Sequence, residues 1–69
     1  MLEMATQGEK LRRWRRARTM TQRQLANRAG LTQRTILLLE NDRSEARPAT
    51  LRKLANALDI DPIELLEDE

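Results

Sequence analysis

Apolar residues in this chain recur at spacings of three and four, which is the signature of short amphipathic helices. Leu11 and Trp14 share a face with Arg15 and Arg18, at i, i+3, i+4 and i+7, and predict a first helix over 7–18. Leu25, Ala26 and Ala29 make the apolar side of a second, shorter one. Ile36 and Leu39 do the same for a third over 33–40. Leu51, Leu54, Ala55 and Leu58 mark a fourth ending near residue 58, and Ile63 a fifth of one or two turns. The expected core is Leu11, Trp14, Leu25, Ala26, Ala29, Ile36, Leu39, Leu51, Leu54, Leu58 and Ile63. No strand is expected, and the fold class read here is all-α.

The boundaries follow from local hydrogen-bonding chemistry. Thr6-Gln7-Gly8-Glu9 and Thr21-Gln22-Arg23-Gln24 are capping boxes, in which a Thr hydroxyl and a Glu or Gln three residues later satisfy each other's backbone N–H. Thr32 caps the third helix and Thr50 the fourth, and Asp61-Pro62-Ile63-Glu64 opens the fifth with Pro at its first position. Gly30 follows the second helix at once, as a terminating glycine does. The repeated Thr-Gln-Arg at 21–23 and 32–34 is therefore two helix starts with one tight turn between them. The polar stretch 41–48 is a loop. Residues 1–5 read as a flexible N-terminal segment and 6–69 as a single domain.

Composition narrows the chemistry. The 69 residues include no cysteine and no histidine, which removes disulfides, thiolate ligands and the usual general base. The reading is a non-enzyme with no metal and no cofactor. The longest apolar run is the four residues Ile36 to Leu39, far short of a membrane span, and a cytoplasmic location is the default. Charge is unevenly distributed. Residues 1–36 hold nine basic and two acidic side chains, net +7; residues 37–69 hold four basic and nine acidic, net −5. A polyanion partner for the first half and a merely solvated charged surface both explain that asymmetry.

Two short helices joined by a turn containing Gly form a helix-turn-helix in outline, though a plain helical hairpin has the same outline. The stretch QRQLANRAGLTQRTILLLEN, residues 22–41, resembles the motif of the Cro/repressor (XRE-type) helix-turn-helix family. The match lies in Leu25, Ala26, Gly30, Ile36 and Leu39, with Leu-Arg-x-x-Arg at 11–15 and TLRKLANALDIDPIELL at 50–66 as flanks. The resemblance covers about residues 8–66. It implies five short helices in a lambda-repressor-like arrangement and a sequence-specific transcription regulator, a repressor by operator occupancy. It implies a double-stranded DNA operator as partner and a homodimer at least on DNA, with Ile63, Leu65 or Leu66 open as dimer contacts.

Carried over residue by residue, the resemblance places Gln33 and Arg34 at base edges, where Gln suits adenine and Arg suits guanine. Thr21, Gln22, Thr32, Asn41, Arg43 and Arg47 fall at phosphate-contacting positions. Thr21 and Thr32 equally fit a capping role alone, and Arg43 and Arg47 equally fit plain solvation. Arg15 and Glu40 match positions that form a structural ion pair between the first and third helices. Two departures stand out. Leu37 and Leu38 occupy positions usually polar, and Leu38 lies where some members contact bases. The pair fits thymine methyl groups in the groove, a patch for a protein partner, or cover by Trp14, the loop or a second subunit. Asp42 stands where the family has Gly, so Asn41 or Asp42 must turn left-handed. The rival function is an antitoxin-like protein or a protein-interaction module that keeps the fold and uses Leu37 and Leu38 for a protein partner.

Overall fold

The computed structural model describes residues 5–66 and has four α-helices and one 3-10 turn: α1 Gln7–Ala17, α2 Gln22–Ala29, α3 Gln33–Glu40, α4 Pro48–Leu58 and the turn Pro62–Leu65. No strand occurs among the described residues. The expected flexible segment at 1–5 lies outside the described residues except for Ala5, and so do the last three acidic residues.

Both capping boxes are present. The Thr6 hydroxyl accepts from the Glu9 N–H at 3.1 Å while the Glu9 carboxylate accepts from the Thr6 N–H at 3.0 Å. The Thr6 backbone N–H, and after it the Thr6 side chain, hold the Glu9 carboxyl below its usual range. Thr21 and Gln24 repeat the arrangement at 3.0 and 2.8 Å. α4 departs from expectation. It starts at Pro48, not at Thr50, and Arg47 precedes it without a side-chain cap. Pro has no N–H to leave unsatisfied at a first helical position and its fixed φ suits that position, so the helix opens before Thr50 and places that residue in its first turn. The fifth helix is likewise corrected to a 3-10 turn of four residues, capped by Asp61 through the Ile63 N–H at 3.0 Å.

All four helices end alike, with the chain passing through a left-handed residue: Thr19 (φ 56°), Gly30 (φ 70°), Asp42 (φ 55°) and Asp59 (φ 58°). After each, the next N–H bonds back to the last turn, as from Met20 to the Arg15 carbonyl and from Arg43 to that of Leu38. Gly30 alone adopts this conformation without steric penalty.

The core holds Leu11, Leu25, Ala26, Ala29, Ile36, Leu39, Leu51, Leu54, Ala55, Ala57, Leu58 and Leu65. Three expectations change. Trp14 is only partly buried at the edge, Ile63 is 65% exposed, and Leu65, one of the candidates for dimer contact, is fully buried. Four residues of 3-10 turn have no helical period to read, so the side that docks is set by contact with α1 and α4 and falls on Leu65.

Candidate nucleic-acid interface

α2 and α3 are joined by Gly30, Leu31 and Thr32. The Leu31 N–H returns to the Ala26 carbonyl at 2.8 Å and closes the turn. Ala26 is buried with Leu25 and Ala29 against Ile36 and Leu39, so α3 is fixed on α2 by its inner face. The outer face of α3 is left to solvent, and it carries two rows. Gln33 and Leu37 lie one turn apart, and so do Arg34 and Leu38. Gln33 and Arg34 are exposed, Leu37 is 44% exposed and Leu38 is half-buried.

The inner end of α3 is held by one buried carboxylate. Glu40 has a side chain 1% exposed, and both of its oxygens are engaged. Arg15 clasps it in a fork, Nε to Oε2 at 2.6 Å and Nη2 to Oε1 at 3.0 Å. The Gln22 amide donates to Oε1 at 3.2 Å, and Arg12 Nε lies 3.6 Å away. One carboxylate thus ties α1, α2 and α3 together. Arg15 also reaches the Met20 carbonyl at 2.8 Å, so its guanidinium bridges the end of α1 to Glu40.

A second anchor lies at the other end of the same contact. Asp42 accepts from the Gly8 N–H at 3.0 Å and from the Thr6 hydroxyl at 2.7 Å, and so caps α1 from the far side of the chain. The residue that stands where the family has Gly therefore takes the left-handed conformation and uses its carboxylate. Gly8 makes this approach possible. A Cβ there would meet the Leu39 carbonyl at 2.5 Å and the Glu40 carbonyl at 2.7 Å. A glycine inside the first turn of a helix is itself a sign of close backbone approach, and this sign was available in the sequence. Arg12 and Arg18 finish other helix ends. Arg12 Nη2 donates to Asn41 Oδ1 at 3.0 Å. Arg18 donates to the Leu58 carbonyl at 2.9 Å, with its guanidinium 5.4 Å from the centre of the Trp14 ring.

Of the site residues read from the sequence, Thr21, Thr32, Gln33 and Arg34 are exposed around the starts of α2 and α3, and Asn41, Arg43 and Arg47 are exposed on the loop beyond α3. Gln22 stands apart, half-buried with its amide turned onto Glu40. At α2 the capping box satisfies the N–H groups of Thr21 and Gln24 and leaves those of Gln22 and Arg23 without an intrahelical partner. Thr32 accepts from the Thr35 N–H at 3.2 Å and shares a 2.9 Å hydrogen bond with the Thr35 hydroxyl. Among the described residues no cluster of acidic, His or Cys side chains is placed to hold a metal ion, and no helix is long and apolar enough to cross a membrane.

Known proteins share this arrangement. A helix-turn-helix family model matches residues 11–65. The HTH-type transcriptional regulator RghRB of Bacillus subtilis (strain 168) is 43% identical over 58 residues, which are 83% of this chain and 42% of that protein. This chain thus spans less than half the length of that relative. The restriction-modification controller protein C.AhdI from Aeromonas hydrophila superimposes with a TM-score of 0.85 at 35% identity, over 87% of this chain and 91% of that one. The P22 c2 repressor protein, solved in complex with a synthetic operator, superimposes with a TM-score of 0.84 at 27% identity, over 90% and 94%.

Proposed function

Since the chain belongs to the Cro/repressor (XRE-type) helix-turn-helix family, we propose that it is a non-enzymatic, sequence-specific DNA-binding transcription regulator that represses by occupying its operator. The observation that carries this reading is the division of α3. Its inner face is spent on Ile36, Leu39 and Glu40, and its outer face presents Gln33 and Arg34 with no side-chain partner among the described residues. A helix so placed enters the major groove with its N-terminal residues at base edges. Arg34 reads guanine O6 and N7, and Gln33 reads adenine N6 and N7.

Around them the backbone contacts fall to Thr21, Gln22, Thr32, Asn41, Arg43 and Arg47. Gln22 contributes its backbone N–H, which has no intrahelical partner, because its side chain is engaged with Glu40. Capping and phosphate binding do not compete at Thr21 and Thr32, since a hydroxyl accepts through a lone pair and donates through its proton. The protein acts as a homodimer on DNA, with recognition helices about 34 Å apart on a near-palindromic site. Ile63 and Leu66, 65% and 45% exposed on the last turn, supply apolar surface for the second subunit.

Selection from random-sequence duplex DNA, followed by gel shift on the winners, tests this reading. A recovered consensus of two half-sites one helical turn apart is expected. About six phosphate contacts across a dimer should give a slope of log K against log salt near −5. Failure to enrich any sequence, with a flat salt response, would overturn it and favour a protein partner.

A further inference from the structure

Two leucines on the outer face of a DNA-facing helix are out of place chemically. Leu37 is one of three large apolar side chains that stay well exposed among the described residues, and the other two belong to the last turn. Leu38 lies on the side of α3 directly opposite Ile36, Leu39 and Glu40, so the core does not require it. Each leucine follows a polar reader by one turn: Leu37 after Gln33, Leu38 after Arg34. Exposed cations flank them: Arg34 stands one turn before Leu38, and the Arg43 N–H bonds to the Leu38 carbonyl, while Glu40, the only acidic residue of α3, is buried and neutralised by Arg15.

A surface that is apolar at its centre and positive around it fits a polyanion with apolar groups on it. The major groove of DNA offers one such group, the methyl at C5 of thymine. We infer that Leu37 and Leu38 form a binding site for pyrimidine C5-methyl groups, so the operator is selected by methyl groups as well as by hydrogen bonds. This rests on the DNA-binding reading given above. The ligand is the methyl group and not thymine as such. A cytosine methylated at C5 carries the same group at the same place in the groove, and a leucine does not distinguish the oxygen at C4 of thymine from the amine of cytosine. Binding is therefore sensitive to cytosine methylation wherever a cytosine stands at the position these leucines cover.

The test uses the whole chain and the consensus duplex recovered by selection. At each thymine of the half-site four duplexes are compared, carrying thymine, uracil, cytosine or 5-methylcytosine. At one or two positions uracil should bind about fourfold more weakly than thymine, the weight of one methyl group removed from water. There 5-methylcytosine should exceed cytosine by a similar factor. In the Leu37→Ala/Leu38→Ala double variant both ratios should fall to one, with the slope against salt unchanged. The wild-type ratios need no variant, so they can overturn the proposal even where the double variant folds poorly. Equal binding of thymine and uracil at every position overturns this proposal and leaves the DNA-binding reading standing. Ratios that persist in the folded double variant also overturn it, because another group then reads the methyl. If no consensus is recovered at all, both readings fall together.

Discussion

The arginines of this protein form two populations that a charge count does not distinguish. Arg12, Arg15 and Arg18 point inward or along the surface and end on protein acceptors: the Asn41 side chain, the Glu40 carboxylate, and the carbonyls of Met20 and Leu58. Arg23, Arg34, Arg43 and Arg47 are exposed and end on no acceptor among the described residues. The first group holds helix ends together, and the second is available to phosphates and bases. The charge count of +7 over residues 1–36 thus overstates the binding charge, because part of it is already neutralised within the fold.

The largest loss of stability is expected at Glu40. Removing one member of a buried, hydrogen-bonded pair costs about 3–5 kcal/mol, because the other charge is left without its partner. With Glu40 1% and Arg15 11% exposed at their side chains, Glu40→Ala should lower stability by about that amount in urea denaturation. Arg15→Ala should be comparably harmful. The Arg15→Ala/Glu40→Ala double variant should be less harmful than the sum, and strict additivity would show that the pair is not coupled.

The opposite pattern is expected for the exposed group. Arg34→Ala should leave the urea midpoint within experimental error and weaken specific binding by about 1–3 kcal/mol, with relaxed preference at one base pair. Arg43→Ala should weaken all sequences alike. A shared specificity profile for the two variants would remove the base-reading role given to Arg34.

Thr19 belongs to the scaffold and its effect is smaller. A β-branched residue at φ 56° is strained. Thr19→Gly should raise stability by about 0.5–1 kcal/mol, the left-handed penalty less the extra freedom of glycine in the unfolded chain. A lower thermal midpoint would mean that the Thr19 hydroxyl bond to the Arg18 carbonyl outweighs the strain.

The smallest effect is one of pH. Glu9 has its folded-state pKa below the ordinary 4.5. Its contribution is therefore complete above that value and is lost as pH falls through the lower, folded-state one. The thermal midpoints of wild type and Glu9→Gln should converge at acid pH and separate as pH rises to 4.5, with a constant gap above it and wild type the higher. Parallel curves would show that the capping box does not depend on the charge.

What could be read from the sequence was local. Thr6, Thr21 and Thr32 announce helix starts because a cap is a matter of three or four neighbouring residues, and the Leu25-Ala26-Gly30-Ile36 spacing is likewise local. Glu40 could be paired with Arg15 only through resemblance. The helix ends were less legible. Gly30 looks like a terminator and the resemblance pointed to Asn41 or Asp42, whereas Thr19 and Asp59 reach the same left-handed conformation with no sign of it in the sequence. Pro48 displaced Thr50 because proline suits the first helical position, and Leu65 displaced Ile63 because a four-residue turn has no phase of its own. The Asp42 to Gly8 contact spans 34 residues of sequence and leaves no local trace beyond the glycine itself.

That glycine has a consequence for anyone who maps this protein by saturation mutagenesis. Every side chain larger than hydrogen at position 8 collides with main-chain oxygens of Leu39 and Glu40, and main chain cannot swing aside as a flexible side chain can. Position 8 should therefore rank among the least tolerant in an activity-based scan, level with Arg34. Its intolerance reports the fit between α1 and the end of α3 and nothing about operator contact. A scan scored on DNA binding alone would draw position 8 into the recognition surface. A parallel scan scored on abundance would return it to the scaffold and leave Arg34 behind.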